Sequence, residues 1–219
     1  MIISYIIGIV LSYLLGSIPF GYLISITKGI DIRTEGSGNI GATNVSRVLG
    51  RKYGLIIFFL DMFKAFAAVF FVPLLFSGIN YPTTPDNLLV VLCGFSSILG
   101  HAFPVFLRFR GGKAVATCFG VFIWLAPIAV GISFGTWVIT ILISRYVSLG
   151  SMIGTLALSV VLVIVLDSPF GDNIYLMLLS VAVTILVIAK HTSNIKRIVS
   201  GTEKKVFAKK AEEEELRRV

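Results

Sequence analysis

The chain has 219 residues, of which 56% are hydrophobic and 14% charged, with a formal net charge of +8. A soluble domain carries about 25% charged residues, and a mean hydropathy of +0.95 leaves more apolar surface than one water-soluble core can hide, so most of the chain has a bilayer as its solvent. A disulfide framework is excluded as well: the two cysteines, Cys93 and Cys118, stand inside apolar stretches without metal-ligand spacing and read as buried thiols.

From Met1 to Thr27 there is no charge. The stretch is too long for a signal peptide and lacks its basic start, so it is expected to be a retained first span, bent near Pro19. Further candidate spans cover 53–79, 88–107, 114–144, 146–166 and 173–189, each judged against the roughly 20 apolar residues that a crossing needs. Lys28, Arg33, Arg47, Arg51 and Lys52 share one loop, and Arg108, Arg110 and Lys113 the next basic one. Arg145 stands alone, nine more cations follow residue 189, and only Lys64 falls within a span. Connections 78–87 and 167–172 hold Asp86, Asp167 and Asp172 but no Lys or Arg. The positive-inside rule puts every basic loop in the cytoplasm.

That threading requires 114–144 to cross twice or not at all. Pro127 splits it, and the 13 residues before it reach only about 20 Å as a helix. The expectation is an all-α polytopic bundle of seven transmembrane helices, amino terminus outside and carboxyl terminus cytoplasmic. Five spans with a re-entrant 114–144 is the alternative. Residues 1–200 form the membrane domain, and 201–219 read as a charged, solvated cytoplasmic tail.

Three polar clusters then share one membrane face. The first is "SGNIGATN", residues 37–44, with Arg47 close behind; the second is "RFRGGKAVAT", 108–117; the third is "KHTSNIKR", 190–197. Glycine lets successive backbone N–H groups converge on an anion, and a neighbouring cation supplies countercharge. Either loop alone reads better as a flexible turn between spans. Neither matches the Walker or dinucleotide fingerprints. His191 and Asn194 are three apart, on one face of a continuing helix. His101 reads as a satisfied core histidine. Asp61 and Lys64, one turn apart inside a span, are a functional pair or a structural anchor. Two histidines and no His-Glu-x-x-His motif argue against a catalytic metal, and no G-x-S-x-G elbow is present. The His-x4-Asp pattern of acyl-CoA-using acyltransferases is also missing.

"GSIPFGYLI", "GSGNIGATNVSRVLG", "HAFPVFLRFRGGKAVAT", "RYVSLGSM" and "KHTSNIKRIVSGTE" occur in that order across residues 16–203. Together they resemble the bacterial acyl-phosphate:glycerol-3-phosphate acyltransferases. The resemblance implies a seven-span enzyme of the cytoplasmic membrane. It would move an acyl group from acyl phosphate to the 1-hydroxyl of glycerol 3-phosphate, giving lysophosphatidate and phosphate. It implies no cofactor and no metal, and neither acyl-CoA nor acyl carrier protein as direct donor. Membrane lipids are expected partners and nucleic acid is not. Carried over by position, the catalytic set is Ser37, Arg47, Lys113, His191 and Asn194, with Gly38, Asn39, Gly41, Thr43, Asn44, Gly111 and Gly112 around the phosphates. The family's second motif usually has Gly where this chain has Ala114, which suits a first helical turn but not a positive φ.

An acyl phosphate is already activated, so the enzyme needs mainly to align the hydroxyl with the carbonyl and to neutralise phosphate. Ser37 lacks triad partners and is expected to be a donor, not a nucleophile. Arg47 and Lys113 are the expected clamp. His191 either takes the hydroxyl proton or positions substrate while a phosphate takes it. The rival reading is a transporter of anionic solutes, which would place its site near the midplane between internal repeats.

Overall fold

The computed structural model describes residues 2–77 and 88–206, and all regular structure among them is helical. In chain order the helices are α1 (Ile2–Ser17), α2 (Phe20–Ile26), α3 (Ala42–Leu49), α4 (Arg51–Ser77), α5 (Leu88–Ala102), α6 (Val115–Leu125), α7 (Pro127–Ser144), α8 (Val147–Val165), α9 (Ile174–Lys190) and α10 (Thr192–Val199), with one 3₁₀ turn at Val105–Leu107. The connection carrying Asp86, and most of the 201–219 tail, lie outside the described residues.

Five stretches are long and apolar enough to cross a bilayer: Ile2–Ile26, Arg51–Phe76, Leu88–Leu107, Pro127–Ser144 and Val147–Val165. A sixth passes when α9 is taken with α10, across a 54° bend. Proline sets two breaks. Pro19 lacks an N–H and separates α1 from α2, and Pro127 opens α7 at its first turn, where the missing donor costs nothing. Eleven-residue α6 is about 16 Å long and falls short of the hydrocarbon thickness of about 30 Å.

Lipid offers no hydrophobic drive between helices, so close approach of backbones matters. The α1–α5 seam shows it. A Cβ on Gly16 would lie 2.1 Å from the Ser97 carbonyl, and one on Gly100 2.2 Å from that of Tyr13. Apolar side chains of α4, α5, α6, α8 and α9 fill the central core around Phe122, Ile98, Val183 and Leu176. Short α6 is therefore sheathed by longer helices, while α1, α4, α7 and α8 keep Ile, Leu and Phe on the outside.

Candidate active site

Four helices begin at one cavity. Its lining includes Gly41, Ala42 and Thr43 at the start of α3, Ala114, Val115 and Ala116 at the start of α6, Val147 and Ser148 at the start of α8, and His191 with Asn194 around the start of α10. Helix N-termini carry free N–H groups and a partial positive charge, so their convergence favours an anion. Arg47 and Lys113 reach the same cavity of about 110 Å³, as do Ser37, Asn39 and Asn44. The structure thus gathers all three polar clusters of the sequence in one place.

The first loop is organised by Asn44, which is buried. Its Nδ2 donates to the carbonyls of Glu35 at 3.0 Å and Asn39 at 2.9 Å, and its Oδ1 accepts from the Ser37 N–H at 2.8 Å. The amide of Asn44 is spent on shaping the loop that presents Ser37. Asn39 acts likewise, with Oδ1 accepting from the Gly41 N–H at 2.9 Å. Gly38 takes a positive φ of 70° and stands outside the cavity lining, at the turn that returns the chain to α3.

The second loop packs against the end of α5. The Gly112 N–H donates to the His101 carbonyl at 3.0 Å. A Cβ on Gly111 would meet that carbonyl at 2.1 Å, and one on Gly112 would meet the His101 ring at 2.1 Å. These glycines are required for backbone packing, and the Gly112 N–H points into the protein, away from the phosphate cradle expected of it. Ala114 caps α6 at φ 64°, ψ 7°. The helical first-turn geometry expected there gives way to a left-handed one, because the chain must turn sharply between the His101 contact and α6.

Lys113 Nζ donates to Asn194 Oδ1. Asn194 Nδ2 donates to Glu203 Oε1 at 2.6 Å, Ser148 Oγ donates to the same oxygen at 2.8 Å, and Arg197 Nε donates to Oε2 at 2.7 Å. Glu203 is 3% exposed. Burial alone would raise its carboxyl, but the hydrogen bonds from Asn194, Arg197 and Ser148 hold it below the usual carboxylate range. Partial burial pushes the Lys113 ammonium down to about 8, opposed by Glu203 and assisted by Arg197 and Arg47. His191 Nδ1 lies 2.7 Å from the Val187 carbonyl. A carbonyl only accepts, so Nδ1 carries the proton and Nε2 is left for the cavity.

Glu203 is the functional-site residue that the sequence reading assigns elsewhere, to the solvated tail. The chain turns back at Gly201, φ 72°, and the Val206 N–H donates to the Arg145 carbonyl at 2.8 Å. Arg47 donates to the Lys204 carbonyl from the other side at 3.3 Å. The available signal was an acid standing alone among Lys and Arg at the end of the third motif. Ser148, Ser151, Trp137, Asp61 and His101 also line the cavity.

An apolar groove of about 50 Å³ continues from it, sharing Phe58, Val115, Trp137 and Ser151 and running on past Phe119, Phe134, Thr155 and Leu158. The apolar helices define an integral membrane protein, and its cationic, helix-N-terminal cleft opening into a greasy slot has the character that suits a phosphate group beside an alkyl chain. Comparison with known proteins agrees. The glycerol-3-phosphate acyltransferase family model matches residues 6–201. The glycerol-3-phosphate acyltransferase of Desulfotalea psychrophila is 42% identical over 195 residues, covering 89% of this chain and 94% of that protein. That of Staphylococcus carnosus is 43% identical over 204 residues, covering 90% and 96%. The crystal structure of the integral membrane glycerol 3-phosphate acyltransferase PlsY (YgiH) in its glycerol 3-phosphate form superposes with a TM-score of 0.82 at 37% identity, covering 92% of this chain and 95% of that one. Its lysophosphatidic acid form gives 0.79. The chain belongs to the glycerol-3-phosphate acyltransferase family.

Proposed function

We propose that the chain acylates the 1-hydroxyl of glycerol 3-phosphate with acyl phosphate as donor, releasing lysophosphatidate and inorganic phosphate, at the cytoplasmic face of a bacterial inner membrane. The observation that carries this reading is the junction of the two cavities. The cationic end suits phosphate, and the apolar groove leaving it suits the acyl chain. The solved relative was crystallised in glycerol 3-phosphate and lysophosphatidic acid forms, the substrate and product of such a transfer. Acyl phosphate as donor is supported by the family resemblance and by a cationic end that suits a phosphate leaving group.

Seven crossings follow if α6 and α9 each count, with the amino terminus outside. The basic loops at 28–52, 108–113 and 145 and the cations after 189 then share one face, and α6 crosses within the bundle, shielded by its neighbours.

In the transfer, the glycerol oxygen forms a bond to the acyl carbon and the anhydride C–O bond to phosphorus breaks, releasing phosphate with the electron pair. Arg47 and Lys113 hold phosphate charge. Ser37 and the free N–H groups of α3 and α6 donate to the developing oxyanion. His191 Nε2 accepts from the glycerol hydroxyl and orients it. A buried imidazole next to the Lys113 ammonium would add a second cation by keeping the proton, whereas the departing phosphate takes it without that cost. Alignment of this kind supplies about 7–11 kcal/mol of barrier reduction.

The test is purified protein with labelled glycerol 3-phosphate and, in parallel, acyl phosphate, acyl-CoA or acylated carrier protein. Ester formation with acyl phosphate alone is the expected result. Ester from acyl-CoA or carrier protein overturns the donor assignment, and uptake into vesicles without ester supports a transporter.

A further inference from the structure

A second charged cluster lies against the cavity and takes no part in the transfer as derived above. Asp61 and Lys64 stand one turn apart on α4, both side chains 3% exposed or less, with Lys64 Nζ 2.7 Å from Asp61 Oδ1. The same ammonium donates to the Ile18 carbonyl at 2.7 Å, which also takes the Phe20 N–H at 3.2 Å, and lies 3.2 Å from His101 Nδ1. The ammonium therefore hydrogen-bonds Ile18 and His101 and forms an ion pair with Asp61 Oδ1, which takes no hydrogen bond among the described residues. That arrangement needs a lone pair on His101 Nδ1 and so puts the imidazole proton on Nε2. Asp61 Oδ1 is 3.5 Å from Nδ1, too far for a direct hydrogen bond, so Lys64 is the group that joins the two.

The opposite edge of the His101 ring, at Nε2, faces Gly112, whose missing side chain makes room for it. The His101 carbonyl takes the Gly112 N–H. One residue thus holds Gly112 twice, through ring and backbone, and the next residue is Lys113. The corner is closed from α9, where Lys190 Nζ donates to the Ala102 carbonyl at 2.5 Å. A buried ion pair is weak evidence for stability, since desolvation offsets much of its attraction. Here Asp61 and His101 also line the cavity, where an unpaired carboxylate would repel an anionic substrate. Paired with Lys64, it adds no net charge.

We propose that Asp61, Lys64 and His101 form a positioning cluster for the reaction: Lys64 and Asp61 fix the His101 ring, His101 fixes Gly112, and the Gly111–Lys113 turn is thereby aimed so that the Lys113 ammonium meets Asn194 at the phosphate end of the cavity. This rests on the reading that Lys113 holds substrate phosphate.

The test is a double-mutant cycle on His101→Ala and Gly112→Ala in the purified full chain, with thermal unfolding as the control for folding. Each single variant is expected to lose about 10- to 100-fold in kcat/KM for glycerol 3-phosphate, as a displaced catalytic group does, and the double variant little more than the worse single, because both disturb one contact. A pH profile adds a readout that loss of packing alone does not move. Lys113, flanked by Asn194, His191, Arg47, Arg197 and Glu203, sits at about 8 because it is partly buried. A released loop lets it reach water, and the alkaline limb moves up towards the ordinary 10.5. Additive losses in the cycle, or a folded His101→Ala with the wild-type limb and KM, overturn the proposal. If His101→Ala does not fold, the limb measured on Gly112→Ala decides in the same way. Losses are ratios to wild type with whichever donor wild type uses, so a wrong donor assignment shows in the wild type and a wrong positioning role only in the variants.

Discussion

Glu203 Oε1 takes a hydrogen bond from Asn194 Nδ2 at 2.6 Å, and that bond decides which end of the Asn194 amide faces Lys113. With Nδ2 committed to the carboxylate, Oδ1 is left as the acceptor for the ammonium. Glu203→Ala is expected to remove this choice and to leave Ser148, Asn194 and Arg197 without a buried partner, which costs several kcal/mol in a site of this kind. Thermal unfolding and activity both fall. Glu203→Gln keeps one acceptor but turns an NH2 towards a donor and loses the charge paired with Arg197, so it is expected to unfold between Glu203→Ala and wild type while activity drops. Equal activity in Glu203→Gln and wild type would count against a role for its charge.

The same carboxylate tunes the pH profile. Activity needs the Lys113 ammonium, so it is expected to fall as pH rises through about 8. Glu203 raises the Lys113 value, so Glu203→Gln moves the alkaline limb to lower pH. The Glu203 carboxyl, held low in the fold, contributes stability above its ordinary 4.5 that is lost as pH falls through its depressed value. Lys113→Ala is expected to cost about 100- to 1,000-fold in kcat, the scale of one lost transition-state donor. Rates from pH 6 to 10 check the alkaline limb and its shift, and thermal unfolding carried below pH 4.5 checks the acid loss of stability.

Much of this architecture is legible in the sequence, for stated reasons. Pro19 and Pro127 stand at breaks between helices, although Pro73 lies inside unbroken α4, and the distribution of Lys and Arg groups the three polar clusters that meet at one cavity. Long-range contacts are not legible. Nothing local says that Gly201 turns the chain back to bury Glu203, or that His101 receives the Gly112 N–H. Asn44 closes the first motif, and the resemblance implies a place for it among the phosphate ligands. Its amide instead shapes the Ser37 loop, through carbonyls up to twelve residues away in sequence. The Ala114 conformation is fixed by the same His101 contact, which is why residue preference alone points to an ordinary first turn.

Ser37 is held by its own N–H against Asn44, and no histidine–carboxylate relay reaches its hydroxyl among the described residues. Direct transfer predicts that rapid-quench mass spectrometry with acyl phosphate finds no acyl-Ser37. Ser37→Ala is expected to lose about 100- to 1,000-fold as an oxyanion donor, and Ser37→Thr, which keeps the hydroxyl, to recover part of it. A trapped acyl-Ser37 that forms and decays at the turnover rate would replace this mechanism with a two-step one.

The groove below the cavity follows α8. Thr155 is one turn deeper than Ser151, about 6 Å further along the helix, and both line the slot. Thr155→Phe is expected to obstruct long chains more than short ones. KM for a long-chain acyl phosphate rises, while that for a short-chain donor and that for glycerol 3-phosphate change little. A uniform loss across chain lengths would place the acyl chain elsewhere.

Ala114 stands where the resemblance leads one to expect glycine, and its backbone is left-handed at φ 64°. That conformation costs an L residue about 1–2 kcal/mol. Against it stand a fully buried methyl, worth about 0.8 kcal/mol, and the smaller freedom of alanine in the unfolded chain, worth about 0.4–1 kcal/mol. The opposing terms nearly cancel, which is how alanine is tolerated. Ala114→Gly is therefore expected to change stability by less than about 1 kcal/mol and to keep activity. Ala114→Val places a β-branched side chain where it is a backbone outlier and adds volume to a packed site, a cost of about 1–3 kcal/mol from overpacking alone. Because Lys113 precedes it directly, the strain falls on the phosphate clamp as well as on the start of α6. Ala114→Val is expected to lose more activity than its unfolding temperature explains. A Val variant as active as the Gly variant would show that the left-handed turn does not set the position of Lys113.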